Sequence, residues 1–405
     1  MQVVFIHPDL GIGGGERLVV DAALALKKKG HRVSFITAHH DHNHCFEETK
    51  DGSFSVTTVG DWIPVNVFGS FHAVLAYAKM VYLAIYLILL SRLKPDVIFC
   101  DQVSICVPFL RLGTSAKIVF YCHFPDKLLT KRETFLKWLY RKPLDWLEEK
   151  TTGMAHLLLV NSHFTAKTFR TAFLSLKKME THVLHPSLNT ANFDRALQHP
   201  AKLLEPKIPP SSRRFMFLSI NRFERKKNLA LAIRALDNLR GEVTHENWKS
   251  IHLVIAGGYD ERVKENVDYY KELQKLVESM QLRDKVTFCR SIQSSQKMAL
   301  LKSSTAVLYT PDNEHFGIVP VEAMYMQTPV IAVNTGGPRE TVVHNETGFL
   351  CDGDAEHFSS AMLRLIQKPM LSKEMGAKGR ERVLKNFSFD NFANTLNGII
   401  QSILT

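Results

Sequence analysis

Pro311-Asp-Asn-Glu314-His315-Phe316-Gly317-Ile318-Val319-Pro-Val-Glu322 follows the strand-like run Thr305 to Tyr309 and passes through a glycine into a helical pattern. Strand, glycine loop and helix in that order are one step of a parallel α/β sheet. The spacing places Glu314 in the loop and Glu322 about two turns into the helix, so backbone N–H groups from Gly317 to Val319 can face an anion. Each carboxylate can then accept a pair of hydroxyls, a combination that suits a sugar nucleotide. Two glutamates at this separation also occur on solvated helix faces, so the reading depends on what surrounds them.

Upstream, Ser219-Ile-Asn221-Arg222-Phe-Glu-Arg225-Lys226-Lys227-Asn228 follows the apolar run Phe215 to Leu218 and opens an amphipathic segment, Leu229 to Leu239. A strand thus delivers cations to a helix start. Arg222 offers a planar fork for two phosphate oxygens, and Lys227 a point charge for the same group. Taken alone, the run also fits a solvated basic turn. At the other end of the chain, the buried-strand pattern Val3 to Ile6 leads into His7-Pro-Asp-Leu-Gly11-Ile-Gly13-Gly14-Gly15-Glu16-Arg17 and a helix with Leu18, Val19, Ala22, Ala23 and Leu26 on one face. Glycine lets backbone approach a phosphate, and the helix start supplies N–H groups. The glycine spacing is not that of the dinucleotide fingerprint. Lys117-Ile-Val-Phe-Tyr121-Cys-His123-Phe-Pro-Asp126 sets His123 at the end of a further strand, where parallel sheets bind ligands.

Strand-like and helix-like segments alternate twice over. The first series runs through Val3 to Ile6, Val33 to Thr37, Val97 to Cys100, Ile118 to Tyr121 and Leu157 to Val160, ending near Val183 to Pro186. The second runs through Phe215 to Ser219, His252 to Ala256, Val286 to Phe288, Ala306 to Tyr309 and Val330 to Ala332. Two Rossmann-like parallel-sheet domains are expected, over residues 1–187 and 213–386. Between them the polar, proline-rich stretch 188–212 predicts a linker. The segment 387–405 predicts a closing helix.

These motifs, with Ala256-Gly-Gly-Tyr-Asp260 and Thr335-Gly336-Gly337-Pro338-Arg-Glu340, resemble the retaining GT-B glycosyltransferases of the glycogen-synthase-like superfamily. Within them they resemble the α-1,3/α-1,6-mannosyltransferase family of lipid-linked oligosaccharide assembly, over nearly the whole chain. The resemblance implies a GT-B fold, two Rossmann-like domains facing a central cleft, with the last helix returning to the N-terminal, acceptor-binding domain. It implies catalytic roles for His123, Glu314, Arg222 and Lys227. Arg222, Lys227, Glu314, His315, Phe316, Gly317, Ile318, Val319 and Glu322 would bind the donor, and Gly13, Gly14, Gly15 and Glu16 the acceptor or its phosphate. GDP-mannose would be the donor and a dolichol-diphosphate-linked oligosaccharide the acceptor. Other early mannosyltransferases of the pathway would be partners, on the cytosolic face of the endoplasmic reticulum membrane. Attack from the front face, with retained configuration, is the family's accepted description.

The sequence predicts no cofactor and no metal. The only Asp-x-Asp, Asp352-Gly-Asp354, reads as a turn entering a helix at Ala355, and cations in the donor loops can take a metal's place. At 405 residues the chain is too long for one ordinary core. A net charge of +11 calls for an anionic partner, and no nucleic-acid-binding motif accompanies it. Six scattered cysteines without a C-x-x-C pair suit a reducing compartment, where the triplets Asn345-Glu-Thr347 and Asn386-Phe-Ser388 would be incidental. No secretory leader is expected ahead of the first strand.

Met80 to Leu90 is an uninterrupted apolar run, extended upstream to Ala73 with only Lys79 intervening. A membrane crossing there would put parts of one sheet on opposite sides, so it reads as a buried helix or one lying in the membrane interface. Lys127 to Trp146 mixes cations with aromatics and leucines, which suits lipid headgroups, the acceptor's diphosphate or an ordinary surface helix. Two other functions stay open: a retaining transferase that uses a UDP-sugar, and a non-catalytic membrane-associated scaffold.

Overall fold

The computed structural model describes every residue except 65, 67–70, 131–133, 199–213 and 405. The chain divides into two compact units, Met1–Ser187 with Phe389–Thr405, and Leu188–Ser388.

In the first unit the elements follow in the order β1 (Gln2–His7), α1 (Gly14–Lys28), β2 (Arg32–Thr37), β3 (Ser55–Thr58), α2 (His72–Leu89), β4 (Val97–Asp101), α3 (Val107–Gly113), β5 (Lys117–Cys122), α4 (Asp126–Leu129), α5 (Phe135–Thr152), β6 (Leu157–Val160), α6 (His163–Ala172) and β7 (His182–Val183). Seven parallel strands lie in the order β3-β2-β1-β4-β5-β6-β7. Helices cover both faces, which explains why Val3 to Ile6 and Val97 to Cys100 are apolar without alternation and fully buried. Because β3 and β4 belong to one sheet, α2 is a crossover between them and the chain does not traverse a bilayer there.

The second unit begins with α7 (Ala191–Gln198), then β8 (Phe215–Ile220), α8 (Leu229–Arg240), α9 (His245–Lys249), β9 (Ile251–Gly257), α10 (Lys264–Ser279), β10 (Val286–Arg290), α11 (Ser294–Ser303), β11 (Ala306–Tyr309), α12 (Ile318–Tyr325), β12 (Val330–Val333), α13 (Pro338–Thr341), β13 (Gly348–Cys351), α14 (Ala355–Gln367) and α15 (Pro369–Asn386). Its six parallel strands run β10-β9-β8-β11-β12-β13. The last helix, α16 (Phe389–Ser402), lies in the first unit, with Phe392, Ala393, Leu396 and Ile400 buried in the same core as Leu18, Ala22 and Leu26 of α1.

The stretch placed in the linker is part of the second unit where it is described. Leu188 donates its N–H to the Phe387 carbonyl at 3.0 Å, and Phe193 of α7 packs on Tyr325, whose hydroxyl donates to Asp194 at 2.5 Å. Residues 199–212 of that stretch lie outside the described residues.

Candidate functional site

In the second unit, the ends of β8 and β11 are neighbours in the sheet, so the loops that follow them meet. After β8 the chain makes a short turn, Arg225–Lys227, and Asn228 adopts a left-handed conformation (φ 47°) to start α8. Thr310, just past β11, fastens this turn by donating its hydroxyl to the Lys227 carbonyl at 2.7 Å. Lys227 Nζ then forms an ion pair with Glu314 Oε2, both side chains largely withdrawn from solvent. Residues 87 positions apart in sequence thus share one site. Arg222 is different: its guanidinium is mostly exposed and rests 2.8 Å from Glu224, leaving it able to swing onto a ligand.

The Glu314 loop is held from behind by the turn after β12. Asn313 N–H donates to Thr335 Oγ1 at 3.0 Å, Thr335 donates to Asp312 at 2.5 Å, and Gly337 N–H donates to the Glu314 carbonyl at 2.7 Å. Gly336 has φ 63°, and a Cβ there would lie 2.4 Å from the Glu314 carbonyl oxygen. Gly317, at φ 81°, caps α12 and leaves the first N–H groups of that helix beside Glu314. Ile318 and Val319 are partly exposed there, and so is His315. Phe316 departs from the expected donor set: its side chain is buried against Phe387, so only its backbone can reach a ligand. Glu322 points inward from α12 and meets Lys297 Nζ of α11 at 2.5 Å. Sequence reading passed over Lys297, which sits in an unremarkable polar helix and is made relevant only by folding.

In the first unit, β1, β4 and β5 are adjacent and parallel, and their carboxyl ends carry His7, Asp101 and His123. Asp101 binds both imidazoles, Oδ1 to His7 Nδ1 at 2.6 Å and Oδ2 to His123 Nε2 at 2.9 Å. Burial alone would strip the proton from His7, but the charge and hydrogen bond of Asp101, with Glu16 behind them, lift it to about 10. Burial likewise opposes the charge on Asp101, and the two histidines nevertheless hold it below the usual carboxylate range. Glu16 closes the arrangement from α1, 3.8 Å from His7 Nε2 and accepting from Gln102 Nε2 at 3.2 Å. The glycine loop is shaped around these groups. A Cβ on Gly13 would strike the Glu16 carboxylate at 2.1 Å, and one on Gly15 would crowd Gln102 and His123. Gly14 is exposed, with open space among the described residues where a Cβ would stand. Arg17 turns away to Asp21 and Glu48. His7 and Asp101 were not singled out from sequence, although each is a polar residue ending an otherwise apolar strand, and that was a usable signal.

Asp354 is the N-cap of α14, accepting the His357 N–H at 2.9 Å. Asp352, Asp354 and His357 come within 4.8 Å of one another, all on the surface.

The first unit also carries an apolar surface. On α2, Met80, Leu83, Ala84 and Leu87 face the core while Val74, Ile85 and Leu89 are exposed. Beside it α5 exposes Phe135, Leu136, Trp138, Leu139 and Trp146, with Lys137 and Lys142 among them. The two helices touch where the Tyr77 hydroxyl donates to the Leu144 carbonyl at 3.3 Å. Residues 131–133 of the basic segment lie outside the described residues.

Family models match both halves: Glycosyltransferase Family 4 over residues 12–192 and glycosyl transferases group 1 over residues 202–382. The chain is 53% identical to the Homo sapiens alpha-1,3/1,6-mannosyltransferase ALG2 over 406 residues, 100% of this chain and 96% of that protein. It is 46% identical to the Rhizomucor pusillus protein of the same name, covering 100% of this chain and 92% of that one. Among solved structures it is similar to a sucrose-phosphate synthase from Thermosynechococcus elongatus, with TM-score 0.73, 20% identity, and 99% and 98% of the two chains covered. Anabaena HepE in complex with UDP gives TM-score 0.71 at 17% identity, with 99% and 100% covered. At these identities the likeness establishes the GT-B fold.

Proposed function

The chain belongs to the alpha-1,3/1,6-mannosyltransferases, and from that premise we propose that it adds an α-1,3- and an α-1,6-linked mannose from GDP-mannose to Man-GlcNAc2-diphosphodolichol. It is a mannosyltransferase of N-glycan precursor assembly. The observation that carries the donor half of the reading is the Lys227 to Glu314 ion pair beside the start of α12. It supplies a cation, a hydroxyl acceptor and backbone N–H groups within one loop cluster.

When the donor enters, its diphosphate takes the place of Glu314 as the partner of Lys227, and Arg222 leaves Glu224 to grip a second phosphate oxygen. Glu314 is then released to accept hydroxyls of the transferred mannose, and Glu322 those of the nucleotide ribose. His315 and the N–H groups of Gly317, Ile318 and Val319 line the same loop. As the glycosidic bond breaks, charge grows on the departing diphosphate, and Lys227, Arg222 and the α12 N–H groups stabilise it there. The cations perform this task without a divalent metal. In the first unit, His123 takes a catalytic role, and Gly13 to Glu16 receive the acceptor or its phosphate. A donor phosphate oxygen takes the acceptor proton, and configuration is retained.

The exposed face of α2 and α5 supports attachment to the cytosolic surface of the endoplasmic reticulum membrane. Aromatic and leucine side chains enter the interface while Lys137 and Lys142 meet headgroups. Incubating the purified chain with GDP-mannose and the lipid acceptor, in the presence of EDTA, tests the reading. Gain of two hexoses with α-1,3 and α-1,6 linkages supports it. Transfer from UDP-sugars alone refutes the donor assignment.

A further inference from the structure

Asp101 divides its two carboxylate oxygens between two imidazoles, and the two are not equivalent. His7 is completely buried, its Nε2 has no hydrogen-bond partner among the described residues, and Glu16 lies 3.8 Å from it. His123 is partly exposed, packs its ring 4.8 Å from Tyr121, and has its carbonyl fixed by Asn161 Nδ2 at 2.9 Å. The titratable groups facing His123 are Asp101 at the end of β4 and Tyr121 of β5, while Glu16 of α1 faces His7. An unneutralised carboxylate at hydrogen-bond distance draws a second proton onto an imidazole. Here a second histidine stands on the other oxygen.

We propose that His7 and Asp101 are positioning residues for His123: imidazolium His7 neutralises Asp101, and Asp101 holds His123 with Nε2–H as donor, leaving Nδ1 as an acceptor for a sugar hydroxyl. The inference rests on the catalytic role proposed for His123. One feature supports it besides the distances: the elevated proton affinity of His7 keeps its charge present at neutral pH. The tautomer matters because a hydroxyl bound at Nδ1 must donate, which fixes its orientation on the sugar. A doubly protonated His123 could only donate and would turn that hydroxyl round.

The test uses the full chain with 15N-labelled histidine in detergent. Two-bond 1H–15N spectra identify His7 and His123 by the signals lost in His7→Gln and His123→Gln. At pH 7.5 the expected result is His123 as the Nε2–H tautomer and His7 doubly protonated. In His7→Gln, His123 leaves the single Nε2–H tautomer and kcat falls about ten- to a hundredfold. Asp101→Asn lowers kcat about ten- to a hundredfold, the range seen for groups that orient an imidazole, with KM for GDP-mannose within about twofold. A Nδ1–H tautomer of His123, or neutral His7 at pH 7.5, overturns the proposal, and the unsubstituted chain suffices to show either if a variant does not fold. Full activity of His123→Gln beside the expected spectrum overturns instead the role given to His123.

Discussion

Gly336→Ala should damage mannose transfer although residue 336 touches no substrate in the scheme above. A non-glycine residue at φ 63° costs about 1 kcal/mol. Its Cβ would sit 2.4 Å from the Glu314 carbonyl oxygen and 2.8 Å from the Glu314 nitrogen. Ordinary contact needs about 3.5 Å, so the Glu314 backbone must retreat by about 1 Å. That movement pulls the carbonyl from the Gly337 N–H, adding about 1 kcal/mol. Strain and lost bond together come to about 2 kcal/mol, which lowers the melting temperature by roughly 4–8 °C for a unit of this size. The displacement of Glu314 costs more in activity, because misplacing a positioning group by about 1 Å reduces rate about a hundredfold. Thermal unfolding with kcat/KM for GDP-mannose below the transition checks both numbers. Gly353→Ala is the control, since among the described residues its Cβ would meet only Val333, at 3.6 Å. A folded Gly336→Ala protein with kcat/KM within about threefold of the unsubstituted chain would refute the claim that this turn positions Glu314.

Glu314→Gln and Lys227→Met are each expected to lower kcat/KM by about a hundredfold or more. The double variant should be little worse than the poorer single one, because both act on one bound diphosphate sugar; additive losses in transfer assays would show separate sites. Glu148, on α5, is pushed up to about 7 by burial, although it accepts N–H bonds from Asp126 and Lys127 at 2.7 and 3.1 Å. Its folded form resists ionisation, so its contribution is most favourable below its ordinary pKa of 4.5 and is lost as pH rises towards 7. Glu148→Gln should therefore gain about 2.5 kcal/mol relative to the unsubstituted chain between pH 5 and pH 8, and denaturant titrations at those two values giving equal differences would contradict this. Replacing Phe135, Leu136 and Trp138 together by Ser should weaken binding to anionic vesicles by about a hundredfold, at 1 kcal/mol or so for each partly inserted side chain. Unchanged co-sedimentation would exclude α5 from the contact.

The parallel α/β architecture was legible because buried strands in such sheets are continuous apolar runs, and these, with the segment near Val183, placed eleven strands, from Val3 to Ile6 through Val330 to Ala332. Two edge strands did not. Ser55-Val-Thr-Thr58 is polar and half exposed, and Gly348-Phe-Leu-Cys351 is short and begins with glycine, so neither carries the pattern of a central strand. The loops bearing Glu314 and Lys227 could be named, but their direct contact depends on β8 and β11 being neighbours, which only the strand order reveals. The same holds for His7 and Asp101, which lie 94 residues apart in sequence and 2.6 Å apart in space. Phe316 shows the converse: a residue inside a recognisable motif whose side chain serves the core. The apolar run from Ala73 to Leu90 also needed the fold, since its inward and outward faces are alike in composition and differ only in what covers them.

The central claim is tested most directly by giving the purified chain GDP-mannose and a Man-GlcNAc2-diphospho-lipid in EDTA and determining the mass and linkages of the product. The account predicts a gain of two hexoses, one α-1,3 and one α-1,6, and loss of both in Glu314→Gln. No transfer from GDP-mannose, or full transfer by Glu314→Gln, would contradict it.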